Sequence, residues 1–261
     1  MKPIISEFSY GFAIVNEMVN WPGRELIAVP FFPSLRQEAN LGYDVRLDRP
    51  GLSYFFQFKL TDCMIRSYAK EVRDGFFSEG SPVYRMYLIN INRSRQHILL
   101  LDLEDKGEQV YYVAPAFHSP QELAVHYANR VVCKNSIFVR PSFDGIQGRF
   151  IDEEWHHISF RLEGPWHFYS SPKELKGDYG FERFSSDVEK SLDKIGDMPL
   201  SVHLDKVFET LTTILQKTTE MPLSSIIEKL MESQQRKDKA NIIAFLSSAF
   251  FNCQFVVVQK R

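Results

Sequence analysis

Cysteine is scarce in this chain. The three present, Cys63, Cys133 and Cys253, lie far apart among 261 residues and form no CxxC pair. That excludes a disulfide framework and a structural zinc site, and it fits a reducing cytosol. An excess of either charge is also missing: 31 Lys and Arg stand against 33 Asp and Glu, for a net charge of −2. A dedicated duplex-DNA binder carries a basic surface, so this chain would need a partner subunit to hold or deliver nucleic acid. No apolar run is long enough to cross a bilayer, so no membrane association is expected. The N-terminal segment MKPIISEFSYGFAIVNEMVNW lacks a basic region and is interrupted by Glu7, which argues against a signal peptide and for a cytoplasmic protein. No GxGxxG or P-loop pattern occurs, so no nucleotide or other small-molecule cofactor is expected. Leu246-Ser247-Ser248-Ala249 lacks the G-x-S-x-G elbow of a serine hydrolase.

What is present is ample core material, with 44% hydrophobic and 14% aromatic residues. Ser6 reads as an N-cap and residues 7 to 19 as a first helix, with Phe8, Phe12, Val15 and Met18 on one face. Leu26 to Phe32 is a strand candidate. Met64, Tyr68 and Val72, spaced four apart, suggest a helix from Thr61 to Phe77. Residues 83 to 91 read as a strand, and Arg93 to Leu103, with its run HILLLDL, suits a buried strand or a core helix, between which periodicity does not decide. Gln109 to Val113 is a strand, Ser119-Pro120-Gln121-Glu122 a capping box opening a helix to about Arg130, and Ser136 to Arg140 a strand. Two strand-like pieces flank Gly164-Pro165. Residues 171 to 199 read as a linker with one helix. Beyond Pro199 the chain turns helical: Val202 to Lys217, Ser224 to Met231, and a last helix from about Lys239 through IIAFLSSAFFNCQFVVV, apolar nearly all round. The pattern predicts an α/β domain over residues 1–175, a mixed central sheet flanked by helices, and a helical C-terminal region over 176–261.

The segment from Glu38 to Lys59, EANLGYDVRLDRPGLSYFFQFK, carries the chemistry. It reads as two strands joined by a turn at Pro50-Gly51. Alternation puts Asp44, Arg46 and Asp48 on one face of the first strand, and Phe55, Gln57 and Lys59 on one face of the second. Folded as a hairpin, these faces coincide, with opposed Cβ atoms about 4.5–5.5 Å apart. A carboxylate, an amide oxygen and an ammonium group then converge on a patch backed by aromatic side chains. A hard divalent cation takes oxygen ligands of this kind. Such an ion polarises a phosphate oxygen and lowers the pKa of a bound water, and a neighbouring lysine stabilises the developing negative charge. The combination suits hydrolysis of a phosphodiester.

The order Glu38, Gly42-Tyr43-Asp44, then Gln57-Phe58-Lys59 resembles the PD-(D/E)XK nuclease superfamily. It is most similar to the branch in which glutamine replaces the second acid, D…QxK, shared by Mrr-like restriction enzymes and several anti-phage defence nucleases. The match spans residues 5 to about 170 as a pattern of elements, and the hairpin residue by residue. The resemblance implies a restriction-endonuclease-like core and a Mg2+ or Mn2+ ion held by Asp44, Gln57, the Phe58 carbonyl and a glutamate. It implies Lys59 as the catalytic lysine, DNA as substrate, and partner subunits such as an ATPase. No proline precedes Asp44, and the helical glutamate is Glu38, Glu17 or Glu7, with Glu38 preferred for its proximity. A catalytically inactive nuclease-like scaffold or sensor is the alternative.

The remaining histidines suggest no metal site. His156-His157 opens a strand, yet lacks the downstream Asn and His of a ββα-metal nuclease. His118 and His126 straddle a helix start, and His97, His167 and His203 are isolated in sequence. Tyr111-Tyr112 reads as core.

Overall fold

Helix α1 (Glu7–Val19) starts where Ser6 accepts the Ser9 backbone N–H at 3.0 Å. In this computed structural model the described residues are 1–19, 24–26, 51–65, 69–78, 82–88, 96–142, 156–164, 166–168, 173–175, 177, 179–218 and 239–260. The strands are β1 (Arg24–Leu26), β2 (Gly51–Phe58), β3 (Thr61–Met64), β4 (Val83–Leu88), β5 (Gln109–Pro115), β6 (Ser136–Val139), β7 (His156–Phe160), β8 (Trp166–Phe168), β9 (Lys173–Leu175) and β10 (Gln254–Lys260). The helices after α1 are α2 (Lys70–Arg73), α3 (Gln96–Asp105), α4 (Pro120–Ala128), α5 (Phe181–Ile195), α6 (Leu200–Thr218) and α7 (Lys239–Phe251). One sheet runs β1-β10-β2-β5-β6, and an antiparallel sheet runs β3-β4-β7-β8-β9. The chain is thus mixed α/β, with a mixed sheet of parallel and antiparallel strands flanked by helices, and a helical C-terminal region.

Contacts divide the chain into two units. The first holds Met1–Met18, Phe58–Ile98 and Tyr111–Asp187; the second holds Val19–Gln57, Leu99–Val110 and Val188–Arg261. The division is interleaved in sequence, so β2 and β5 each give residues to both units.

In the first unit α1 buries Tyr10, Ala13, Ile14, Val15 and Met18. The Tyr10 ring meets Phe58 and Phe117 edge-on, at 5.7 and 5.9 Å between centroids, and its hydroxyl donates to Ser136. The sequence placed Phe8 and Phe12 on the same face as Val15 and Met18; in the structure they are exposed. Helix α4 opens on the expected capping box, with Ser119 and Glu122 bonded reciprocally. Residues 61–77 depart from expectation. The described residues among them form strand β3 and the one-turn helix α2, because Thr61–Met64 pairs in register with Val83–Met86, and Cys63 exchanges backbone bonds with Met1. Met64, Tyr68 and Val72 match a helical period, but sheet pairing outweighs a short run of such spacing.

In the second unit β10 lies antiparallel to β2, with Gln254 opposite Phe56 and Gln259 opposite Gly51. The expected terminal helix therefore stops at Phe251. Asn252 adopts φ 49°, the left-handed turn that ends many helices, and Phe255–Val258 continues as a buried strand. Helix α6 buries Leu204, Val207, Leu211 and Leu215 at spacings of three and four. The segment expected to be mostly linker holds β9 and the fifteen-residue α5.

Candidate functional site

Strand β2 is buried along its whole length, unlike a strand with a solvated polar face. Gln57 and Lys59, separated by one residue, are 2% and 8% exposed. Alternation turns both away from Phe58, whose ring packs against Tyr10 and closes on Gly11 of α1. The Gln57 Oε1 has no hydrogen-bond partner among the described residues. Leaving a buried carbonyl in that state costs about 1–3 kcal/mol. It is also the kind of oxygen a hard cation takes as ligand. Glu38 and Asp44 lie outside the described residues. The antiparallel neighbour of Gly51–Phe56 is β10, while the first strand of the expected hairpin, like Asp44, lies outside the described residues.

Lys59 sits just past β2, its backbone N–H donating to the Val113 carbonyl at 2.9 Å. A buried ammonium requires a compensating charge. Glu7, in the first turn of α1, lies within electrostatic reach: burial pushes its carboxyl up while Lys59 draws it down. Glu17 has a different task, accepting the backbone N–H groups of Val132 (2.6 Å) and Cys133 (3.3 Å). Of the two described glutamates weighed from sequence, Glu7 is therefore the one coupled to the lysine.

His97, in the first turn of α3, extends this cluster. Its Nδ1 lies 2.7 Å from the Tyr112 hydroxyl, with the rings stacked at 9°. Burial, then His156, then Lys59 push the imidazole down to about 4, so it is neutral near pH 7. His156 stacks on Phe168 at 5.3 Å. Sequence spacing left both histidines without a role; only the folding of α3 and β7 brings His156 within reach of His97, and His97 within reach of Lys59.

A second polar cluster was not foreseen. Register aligns Asp62, Arg85, Ser159, His167 and Glu174 in one row across all five strands of the antiparallel sheet. Glu71 from α2 is fully buried; its Oε1 accepts Arg85 Nε (2.8 Å), Arg85 Nη2 (2.6 Å) and Ser159 Oγ (2.9 Å). His157 Nε2 stands 3.6 Å away. Burial raises this carboxyl, but the bonds from His157, its own backbone and Arg85 outweigh it and pull it down to about 2. The Arg85 guanidinium also reaches the Tyr87 hydroxyl, which donates to Asp62, itself paired with Lys2 at 3.0 Å. The alternating polar side chains of VYRMYL and HHISF were the available signal. β7 is an interior strand, so its two histidines divide between opposite faces and do not form one exposed pair.

The second unit has a third cluster. The Ser53 backbone N–H and hydroxyl both reach His203 Nε2, at 3.0 and 2.8 Å. Burial, then Lys206, push that imidazole down to about 4. Glu108, also buried, is pushed up to about 7, with a Ser53 hydrogen bond opposing the shift.

Among the described residues no three His, Cys, Asp or Glu side chains stand where they could hold one metal ion. No helix among them is long and apolar enough to cross a membrane. No protein-family model, curated protein or solved structure matches the chain.

Proposed function

We propose that this chain is a metal-dependent nuclease that hydrolyses DNA phosphodiester bonds, built on a restriction-endonuclease-like core. The observation that carries the reading is the buried Gln57 Oε1, which has no hydrogen-bond partner among the described residues and stands two positions from a buried Lys59. The donor set suits Mg2+ or Mn2+: the Gln57 Oε1 and Phe58 carbonyl on β2, with Asp44 and Glu38 from the preceding segment. A divalent ion bound there polarises the phosphate and acidifies a coordinated water. The protein's own groups complete the chemistry. Lys59 stabilises charge on the phosphate oxygens as water adds to phosphorus and the P–O bond to the leaving oxygen breaks. Glu7 supplies a carboxylate within electrostatic reach of the lysine. Neutral His97, tied to Tyr112, lies within electrostatic reach of the lysine without repelling it. The net charge of −2 favours a co-acting subunit, such as an ATPase, that delivers DNA. A cytoplasmic effector of restriction or anti-phage defence is the biological setting this chemistry suits.

A second reading, a nuclease-like scaffold or sensor without catalysis, is favoured by one observation. The antiparallel strand beside Gly51–Phe56 is β10, from the far end of the chain.

The test is incubation of plasmid DNA with purified protein and Mg2+ or Mn2+, with and without any co-encoded subunit. Cutting lost in both Asp44→Ala and Lys59→Ala supports the nuclease. Absence of cutting, or cutting indifferent to both, supports the scaffold.

A further inference from the structure

Ser53 lies between two titratable side chains of the second unit, His203 of α6 and Glu108, the residue before β5. The Ser53 backbone N–H, which can only donate, reaches His203 Nε2 at 3.0 Å, so that nitrogen carries no proton. The Ser53 hydroxyl, 2.8 Å from the same nitrogen, is then the donor of the second bond. A hydroxyl has one proton and two lone pairs, so a hydroxyl that donates to His203 can only accept from Glu108. A neutral carboxyl has an O–H to give it. A carboxylate has none, and itself needs a donor.

We propose that Ser53 is a pH-operated switch: it donates to His203 while Glu108 is a neutral acid, and turns to donate to Glu108 once that acid has ionised. Rising pH then removes one of the two hydrogen bonds by which His203 ties α6 to β2. The surroundings set this change near neutrality. Ser53 is 1% and Glu108 7% exposed, and burial pushes the Glu108 carboxyl up to about 7 while the Ser53 bond draws it down. That opposing effect is the bond from hydroxyl to carboxylate that the switched state contains. His203, held neutral down to about 4 by burial and Lys206, stays an acceptor throughout. The other flanking charges are turned elsewhere. Asp205 of α6 is paired with Lys239, and Asp105 and Lys106, just ahead of Glu108, are exposed. On β10 the uncharged Val257 stands opposite Ser53. Glu108 is therefore the group whose titration moves the hydroxyl proton. The inference is independent of the nuclease reading.

Nitrogen-15 spectra of the His203 ring and carbon-13 spectra of the Glu108 carboxyl, recorded on the whole protein from about pH 5 to 9, test it. The Nε2 signal should shift in step with the Glu108 carboxyl, at a midpoint of about 7, while Nδ1 keeps its proton. Glu108→Gln should remove that shift. Ser53→Ala should remove most of it, although Glu108 still titrates. A carboxyl that does not titrate in this range, an Nε2 signal that stays constant through its midpoint, or a shift of undiminished size in either variant would overturn the proposal.

Discussion

Arg85, itself partly exposed, grips the fully buried Glu71 through two N–H groups on a single carboxylate oxygen, at 2.8 and 2.6 Å. The second oxygen, Oε2, has no hydrogen-bond partner among the described residues. The pair joins α2 to β4 and, through Ser159, to β7. Removing one partner strands the other charge away from water. Arg85→Met should cost about 3–5 kcal/mol. Pairing it with Glu71→Gln should recover part of that loss, since both charges are then gone. Urea unfolding of the two variants checks the order.

Stability should depend on pH at both ends of the range. The Glu71 carboxyl is depressed to about 2, so its contribution is present above its unfolded value of 4.5 and disappears as pH falls through about 2. A shift of that size corresponds to about 3 kcal/mol. Glu108 behaves oppositely. Its folded value is raised to about 7, so its contribution is full below 4.5 and is lost as pH rises from there through 7. Glu108→Gln should therefore gain stability relative to wild type between pH 5 and 8. Equal pH profiles for wild type and variant would refute the assignment.

The Ser53 backbone N–H donates to Nε2 of His203, so the neutral ring carries its proton on Nδ1. Nitrogen-15 shifts of the His203 ring should show that tautomer at pH 7. Burial, then Lys206, hold the imidazole neutral down to about 4; protonation would also set an Nε2 donor against the Ser53 N–H. Ser53→Ala removes a buried hydroxyl shared by His203 and Glu108 and should cost about 1–3 kcal/mol. It should also move the Glu108 titration upward, because the bond opposing its shift is lost.

Gly11 is the point where α1 meets Phe58 at the end of β2. A Cβ there would lie 2.8 Å from the Phe58 ring, too close to be accommodated without movement. Gly11→Ala should cost about 1–3 kcal/mol by overpacking. Because Phe58 sits between Gln57 and Lys59, the same change should lower any nuclease activity more than the melting temperature suggests.

Local chemistry was readable in the sequence where it determines structure alone. The Ser6 and Ser119 caps, the proline opening α4 and the aliphatic spacing of α6 each decide their element, and each appears as expected. Elements decided by partners far along the chain were not readable. Thr61–Met64 is a strand because β4 pairs with it, and Gln254–Lys260 because β2 does, two hundred residues away. The apolar run from Ile242 to Val258 hid a helix end at Asn252 that only its left-handed backbone reveals. Gln57 and Lys59 were singled out by alternation along one strand. Glu7 was one of three glutamates weighed, and His97, Tyr112 and His156 were not picked out, since no periodicity links residues from separate elements.

Manganese binding followed by electron paramagnetic resonance tests the proposed metal centre most directly. Wild-type protein should take up one Mn2+ per chain. Gln57→Leu should weaken that binding at least tenfold, and Lys59→Met should retain binding while losing cleavage. A wild type that leaves Mn2+ free in solution, or a Gln57→Leu variant that binds as tightly as its parent, would contradict the proposed role of this strand.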